Sequence, residues 1–351
     1  MRRSAGWLAL VLLLPLAACS TDTEERGLQP SEESPSTSPS ATPSPPSTSA
    51  PSVPPAPEDT LPPVTGPRSL PGLMREEFRP SRVRYGDVIE ETDRYTRNEV
   101  TYRSGDVTVS GILLRPRGRG PFPGIVLNHG YIEPSVYTSG QGLAREQVAL
   151  ADAGFAVLHT DYRGHAGSDP ASPLSRETRL GYTRDAIHAV LALEREPYVD
   201  EDRMAMLGRS MGGGVTMNAL VVAPGLVDAA VIYASVSSRY LDNVRHFAEP
   251  ERPDEVAALY DELGSPEGSP EVYAGLSARR YFDRITEPVL AHHADTDEVC
   301  PFPWALDTQN AMRRAGVDSR LEVYEGEAHA FTFDWQRSMD RTIQFLRRRL
   351  R

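Results

Sequence analysis

Over residues 98–348 the chain switches between short apolar runs and amphipathic stretches, and each switch predicts an element. Residues 98–114 alternate apolar and polar positions and break at Ser104-Gly105-Asp106, which predicts a β-hairpin. Pro121-Phe122-Pro123 leads into Gly124-Ile125-Val126-Leu127, a continuous apolar run of the kind a strand covered on both faces needs. A helical pattern over about 143–153 stops at Gly154 and gives way to a strand, Phe155-Ala156-Val157-Leu158. The next helix, about 182–194, places Ala186, Ile187, Val190 and Leu193 on one face. Strands are expected at 204–207, 229–233, 288–292 and 321–324, with a helix over 215–222 after the first of them. A last helix carries Trp335, Met339, Ile343 and Leu346 on one stripe. Strands alternating with helices imply an α/β fold: a mostly parallel sheet covered by helices on both faces, with ligands at the carboxyl ends of the strands.

The first 71 residues do not follow this pattern. Arg2 and Arg3 precede an apolar run, Trp7 to Ala18, shorter than the roughly 20 residues of a membrane span. It fits the apolar region of a signal peptide. Leu16-Ala17-Ala18-Cys19 resembles the lipobox of bacterial lipoproteins, which would make Cys19 the lipidated first residue of the mature chain. The alternative is an ordinary cleaved signal, with secretion as the result. In positions 31–60, 22 of 30 residues are Ser, Thr or Pro. Such a segment buries too little apolar surface to fold, so residues 20–71 are expected to form a disordered tether that holds residues 72–351 away from a membrane.

Composition narrows the chemistry. The formal net charge of −12 argues against a nucleic-acid partner. All 37 basic residues are arginine, which excludes a lysine Schiff base or a Ser–Lys dyad. The second of the two cysteines, Cys300, lies between Val299 and Pro301 and reads as a small packed residue.

The strongest chemical signal is Gly208-Arg209-Ser210-Met211-Gly212. It is a G-x-S-x-G sequence between an expected strand and an expected helix, as a nucleophile elbow requires. Alone, it could equally be a glycine-rich turn with an ordinary serine. A serine nucleophile needs a base, and the base needs an orienting acid. His329, after the last strand in Gly326-Glu327-Ala328-His329-Ala330-Phe331, is the expected base. The loop after the preceding strand offers Asp297 as the acid, with Asp295 in reserve. The N–H of Met211 and that of Tyr131, in Asn128-His129-Gly130-Tyr131, are the expected oxyanion donors. The Tyr131 hydroxyl is the alternative to its N–H. His129 would shape the turn through bonds to backbone. His292 and His293 with Asp295 and Asp297 form a cluster of metal-ligand types, but adjacent residues on a strand point to opposite faces, so no metal is expected there. No cofactor is implied.

Together these segments, from about 98 to 348, resemble the α/β-hydrolase superfamily, in particular the catalytic domain of the prolyl oligopeptidase family and dienelactone hydrolase-like esterases. Asn128-His129-Gly130 resembles its oxyanion loop, and residues 161–168 its D-x-R-G-x-G-x-S turn. Residues 288–301 resemble its acid segment, which aligns Asp297 with the catalytic acid, and residues 326–331 match G-x-x-H-x-F. Ala294 stands where the acid segment usually has glycine. Dienelactone hydrolases proper use a cysteine nucleophile, whereas this elbow carries serine. Prolyl oligopeptidases carry a large β-propeller before the hydrolase, for which the residues before 98 leave no room. The resemblance implies an α/β-hydrolase fold, with an insert at about 237–277, rich in acidic residues and proline, that is either a small cap or a solvated excursion. One helical piece is expected in it, about 254–263. The expected function is an extracytoplasmic, membrane-anchored serine hydrolase cleaving carboxylic esters. The alternatives are a serine peptidase acting on short peptides and a non-catalytic envelope protein that retains the fold.

Overall fold

The structure, a computed structural model, describes residues 61–66 and 68–351. The signal segment, Cys19 and the tether up to residue 60 lie outside the described residues. The expected end of the tether at residue 71 is corrected by packing. Leu70, Pro71 and Leu73 are buried, Ser69 caps their short turn of helix, and the Leu70 N–H donates to Gly275 O. The apolar Leu70-Pro71 pair belongs to the core rather than to the polar segment before it.

A nine-stranded sheet runs in the order β1-β2-β3-β5-β4-β6-β7-β8-β9. The strands are β1 (Arg84–Glu91), β2 (Tyr95–Ser104), β3 (Val107–Pro116), β4 (Phe122–Asn128), β5 (Ala156–Thr160), β6 (Val199–Arg209), β7 (Ala229–Tyr233), β8 (Val289–Ala294) and β9 (Ser319–Tyr324). The first three join by antiparallel pairing and β3 meets β5 antiparallel. From β5 to β9 every pairing is parallel. The expected hairpin is β2–β3, turning at Gly105 with φ of 64°. Sequence reading missed β1, an edge strand that is largely exposed and paired with register shifts, so it carries no alternating burial pattern.

The central strands alternate strictly. Val126, Leu158 and Met206 face one apolar core, while Ile125, Leu127, Val157, Ala205 and Leu207 face the other. The first core is covered by α2 (Leu180–Leu193), α3 (Met211–Val222) and part of α5 (Phe302–Arg314), which the pattern did not reveal. The second is covered by α1 (Ala144–Asp152) and α6 (Trp335–Arg349). Residues 237–277 hold more helix than the single piece expected. Besides α4 (Pro253–Leu263) they contain Tyr240–Asn243, Val244–Ala248, Glu249–Glu251 and Pro270–Ala274. These are one-turn pieces, too short for a periodic apolar stripe to declare them.

Register aligns the strand ends that matter. Asn128 of β4 lies opposite Thr160 of β5 and Gly208 of β6, Arg209 of β6 opposite Tyr233 of β7, and Ala294 of β8 opposite Tyr324 of β9. The loops that follow these strands therefore emerge along one edge of the sheet.

Candidate active site

Ser210 sits between β6 and α3 with φ 57° and ψ −120°, a conformation that costs a non-glycine residue about 1–3 kcal/mol. The surroundings enforce it. Ser210 N–H donates to Tyr233 O at 2.9 Å, and Ser210 O accepts from Gly213 and Val236. A Cβ on Gly208 would lie 2.1 Å from Gly212 O, and one on Gly212 would lie 1.9 Å from Asn128 O. The two glycines of the motif are thus required by close approach of backbone to backbone. Arg209 is held from behind by the buried Glu146 at 2.5 Å, and Glu146 also accepts from Trp335 Nε1 at 2.8 Å.

His329 and Asp297 come together. Nδ1 of His329 is 2.9 Å from each Asp297 oxygen. Asp297 Oδ1 also accepts the N–H groups of Val299 at 2.9 Å and Cys300 at 2.7 Å. Burial alone would raise the Asp297 pKa, but His329 and these two N–H groups outweigh it and the net direction is down, so the carboxylate stays ionised. The reserve acid, Asp295, instead accepts from Gly326 N at 2.7 Å and ties the acid loop to the base loop. Among the described residues Ser210 Oγ makes no hydrogen bond to His329. Its polar contact is Cys300 Sγ at 4.0 Å. Cys300 is fully buried, and burial pushes its thiol up to about 12, so it stays a neutral neighbour of the serine.

The oxyanion loop runs against the nucleophile, since a Cβ on Gly130 would be 3.2 Å from Ser210 Cβ. Neither Met211 N–H nor Tyr131 N–H is spent on a hydrogen bond among the described residues. The Tyr131 hydroxyl donates to Glu133 at 2.7 Å, which leaves the N–H as this residue's free donor. His129 is buried, with Nδ1 2.6 Å from Gly130 O and Nε2 3.3 Å from Asp161 O, and so shapes the turn as expected. Asp161 in turn accepts from Ser110, Tyr137, Ser139 and Gly140 N, which fixes the loop after β5 beside it.

His292 and His293 face opposite sides. His292 meets Tyr324 Oη at 2.7 Å and Thr342 Oγ1 at 3.0 Å, while His293 Nε2 donates to Cys300 O at 2.8 Å. Both are thereby engaged in protein hydrogen bonds, His293 as a brace for the acid loop.

Two features went unread in the sequence. Glu327 is buried, and its carboxylate accepts four backbone N–H groups, from Ala328, Thr332, Phe333 and Asp334, so the loop carrying His329 folds around it. The signal available was an acid two positions before the histidine in a loop without secondary structure. The second feature is the reach of the insert. Arg252 lies 5.0 Å over the Tyr131 ring, and His246 Nε2 is 3.2 Å from Val299 O. The insert thus touches both the oxyanion loop and the acid loop.

Comparison with known proteins agrees with the fold. The profile of the prolyl oligopeptidase family matches residues 142–351. The chain is 26% identical over 237 residues to the acylamino-acid-releasing enzyme of Mus musculus, covering 65% of this chain and 31% of that one. It is 26% identical over 200 residues to the uncharacterized peptidase YtmA of Bacillus subtilis, covering 57% of this chain and 72% of that one. Acetyl xylan esterase from Paenibacillus sp. R4 shares the fold with a TM-score of 0.62 at 18% identity, over 82% of this chain and 98% of the esterase. The match thus spans under a third of the mouse enzyme's length. With the family profile covering more than half of the chain, on an α/β-hydrolase sheet, this protein belongs to the prolyl oligopeptidase family of serine hydrolases.

Proposed function

We propose that this chain is an extracytoplasmic serine carboxylesterase tethered to a membrane through Cys19. Ser210 is the nucleophile, His329 the general base and then acid, and Asp297 the group that fixes the imidazole and stabilises its charged form. The N–H groups of Met211 and Tyr131 take the oxyanion. The observation that carries this reading is the His329 imidazole facing both oxygens of an ionised Asp297, on a loop at the same sheet edge as a serine in a strained elbow. The Ser210 hydroxyl must turn from Cys300 toward Nε2 of His329 to hand over its proton, a tightening that occurs on substrate binding in many enzymes. The acyl group then passes to Ser210, His329 protonates the departing alkoxide, and water activated by the same histidine releases the acid.

Two features support an ester over a peptide. The insert reaches both the oxyanion loop and the acid loop, and the chain matches a xylan esterase over 98% of that enzyme's length. The peptidase reading is favoured by the names of the relatives, an acylamino-acid-releasing enzyme and a peptidase. The deciding experiment compares hydrolysis of p-nitrophenyl acyl esters with that of acylated and proline-type p-nitroanilides, with Ser210→Ala as blank. Turnover of esters alone, lost in the variant, supports the proposal. Anilide turnover at comparable kcat/KM moves the chain to the peptidases, and turnover that survives Ser210→Ala overturns the mechanism. For the location, Cys19→Ala is expected to move the chain from the membrane to the soluble fraction; a variant that still sediments with membrane refutes the anchor.

A further inference from the structure

Arg179 is out of place for a structural arginine. It joins the short helix Pro173–Thr178 to α2 with φ 60° and ψ 6°, left-handed backbone that a side chain other than glycine or asparagine adopts at a cost. It is only partly exposed, yet among the described residues its guanidinium has neither an ion pair nor a hydrogen bond. Burial pushes its pKa down from the ordinary value, with Tyr240 and Glu177 acting in the other direction.

The guanidinium lines a small cavity behind the nucleophile elbow. A Cβ on Gly214, in the second turn of α3, would lie 3.5 Å from Nη1. Gly214 is one helical turn from the nucleophile, its N–H 3.4 Å from Ser210 O. The neutral polar groups around the cavity are already committed. Asn243 binds Ser237 N, Ser237 O and Arg239 O; Ser238 accepts from Thr308; Asn218 donates to Thr183. Among the described residues no carboxylate lines the cavity. Glu177, two positions before it in the chain, is held instead by Arg252 at 3.3 Å and Arg176 at 3.4 Å. The free space is about 20 Å³, room for a water that an oxygen of a substrate carboxylate would displace. A cation without a protein partner, held by a strained backbone one helical turn from a nucleophile, is the kind of arrangement a ligand repays.

From the position of this unpaired guanidinium we propose that Arg179 is a specificity residue that receives a carboxylate carried by the substrate a few bonds from the scissile carbonyl. The inference rests on Ser210 being the nucleophile of the hydrolase proposed above. It makes acidic acyl groups, such as an acyl-glutamyl or dicarboxylic monoacyl group, the preferred class. Arg suits this role because its fork matches both oxygens of a carboxylate.

The test uses the α-p-nitrophenyl esters of N-acetylglutamate and N-acetylglutamine, which have nearly the same shape and differ in one charge. The readout is the ratio of their kcat/KM values within each variant of the full chain, so that a general loss of activity cancels. In the wild type the glutamate ester is expected to be favoured about tenfold or more, the range of a charge-assisted hydrogen bond. Arg179→Met should bring the ratio near one, and Arg179→Lys should retain part of it. Arg179→Asn tolerates the left-handed backbone and serves if the Met variant does not fold. A wild-type ratio of one or below, or a ratio unchanged in these variants, overturns the proposal while leaving the hydrolase intact. If neither ester is cleaved in a Ser210-dependent way, the hydrolase reading falls. The Arg179 site is then decided by thermal unfolding in glutarate against glutaramate: a shift with glutarate alone that is lost in Arg179→Met supports it, and no shift overturns it.

Discussion

Replacing Glu327 by glutamine tests whether the loop that carries His329 is held from inside by one carboxylate. Oε1 accepts from Ala328 and Thr332, both at 2.9 Å, and Oε2 from Phe333 at 2.7 Å and Asp334 at 2.6 Å. The glutamine amide keeps one acceptor oxygen and turns an NH₂ group toward two N–H donors. Two charge-assisted bonds are lost, each worth about 1.5–3 kcal/mol, and the other two weaken. Phe333 is 89% exposed, so its end of the loop can move out and exchange the lost bonds for water. That relaxation puts the expected cost at the lower end, about 3 kcal/mol. Much of it should appear as a displaced loop rather than as global unfolding, because β9 and α6 on either side pack independently into the core.

The consequence falls on kcat. A misplacement of about 1 Å in a catalytic group can cost about 100-fold, so Glu327→Gln should lower kcat for a p-nitrophenyl ester by about that factor. KM should change little, since no substrate contact is removed. Glu327→Asp should recover part of the loss. Acid pH offers an independent readout. Burial alone would raise the Glu327 pKa, but the N–H groups of Asp334, Ala328, Thr332 and Phe333 outweigh burial and the net direction is down. A depressed pKa means that the stabilisation is complete above the ordinary value of 4.5 and is lost as pH falls through the folded value. The wild-type unfolding temperature should therefore drop more steeply below about pH 4.5 than that of Glu327→Gln. A variant with kcat within twofold of wild type and the same acid slope would show that the four bonds do not position His329.

The remaining expectations follow from single contacts. Asp297→Asn presents an amide N–H to His329 Nδ1 and forces the wrong tautomer, so kcat should fall by about 10⁴-fold with the fold intact by circular dichroism; a fall under tenfold would remove Asp297 from the mechanism. Gly212→Ala would press a Cβ to 1.9 Å from Asn128 O and should destabilise the chain by about 3 kcal/mol or more, read as a lowered unfolding temperature, whereas an unchanged temperature would mean that the elbow is looser than drawn. Arg252→Ala removes the cation over Tyr131 and its pair with Glu177, and should alter the relative rates across acyl chain lengths; identical relative rates would mean that the insert does not act as a cap.

What could be read from the sequence, and what could not, divides along a physical line. The elbow was legible because its requirements are local: Gly208 and Gly212 flank Ser210 within five residues, and a strained turn between strand and helix leaves no other choice there. The order of Ser210, Asp297 and His329 was legible because a parallel sheet delivers successive loops to one edge, so chain order becomes spatial order. Local reading put Asp297 first and kept Asp295 in reserve. They are two residues apart on one turn, and only the placement of the opposite loop gives one His329 and the other Gly326 N–H. Cys300 had the same difficulty: its packing was anticipated, but its position against Ser210 depends on how β6 and β8 register through β7. Arg179 is the extreme case. It stands before the helix expected over about 182–194, where nothing in the sequence marks it, and only the packing of α2 against α3 and the insert shows a cation without a partner among the described residues. The proposed catalytic residues lie in short motifs because bond-making geometry demands particular residues at fixed spacing. The proposed specificity residue lies in contacts between distant segments, where any residue that fits will serve, and so it becomes visible only when the chain is folded.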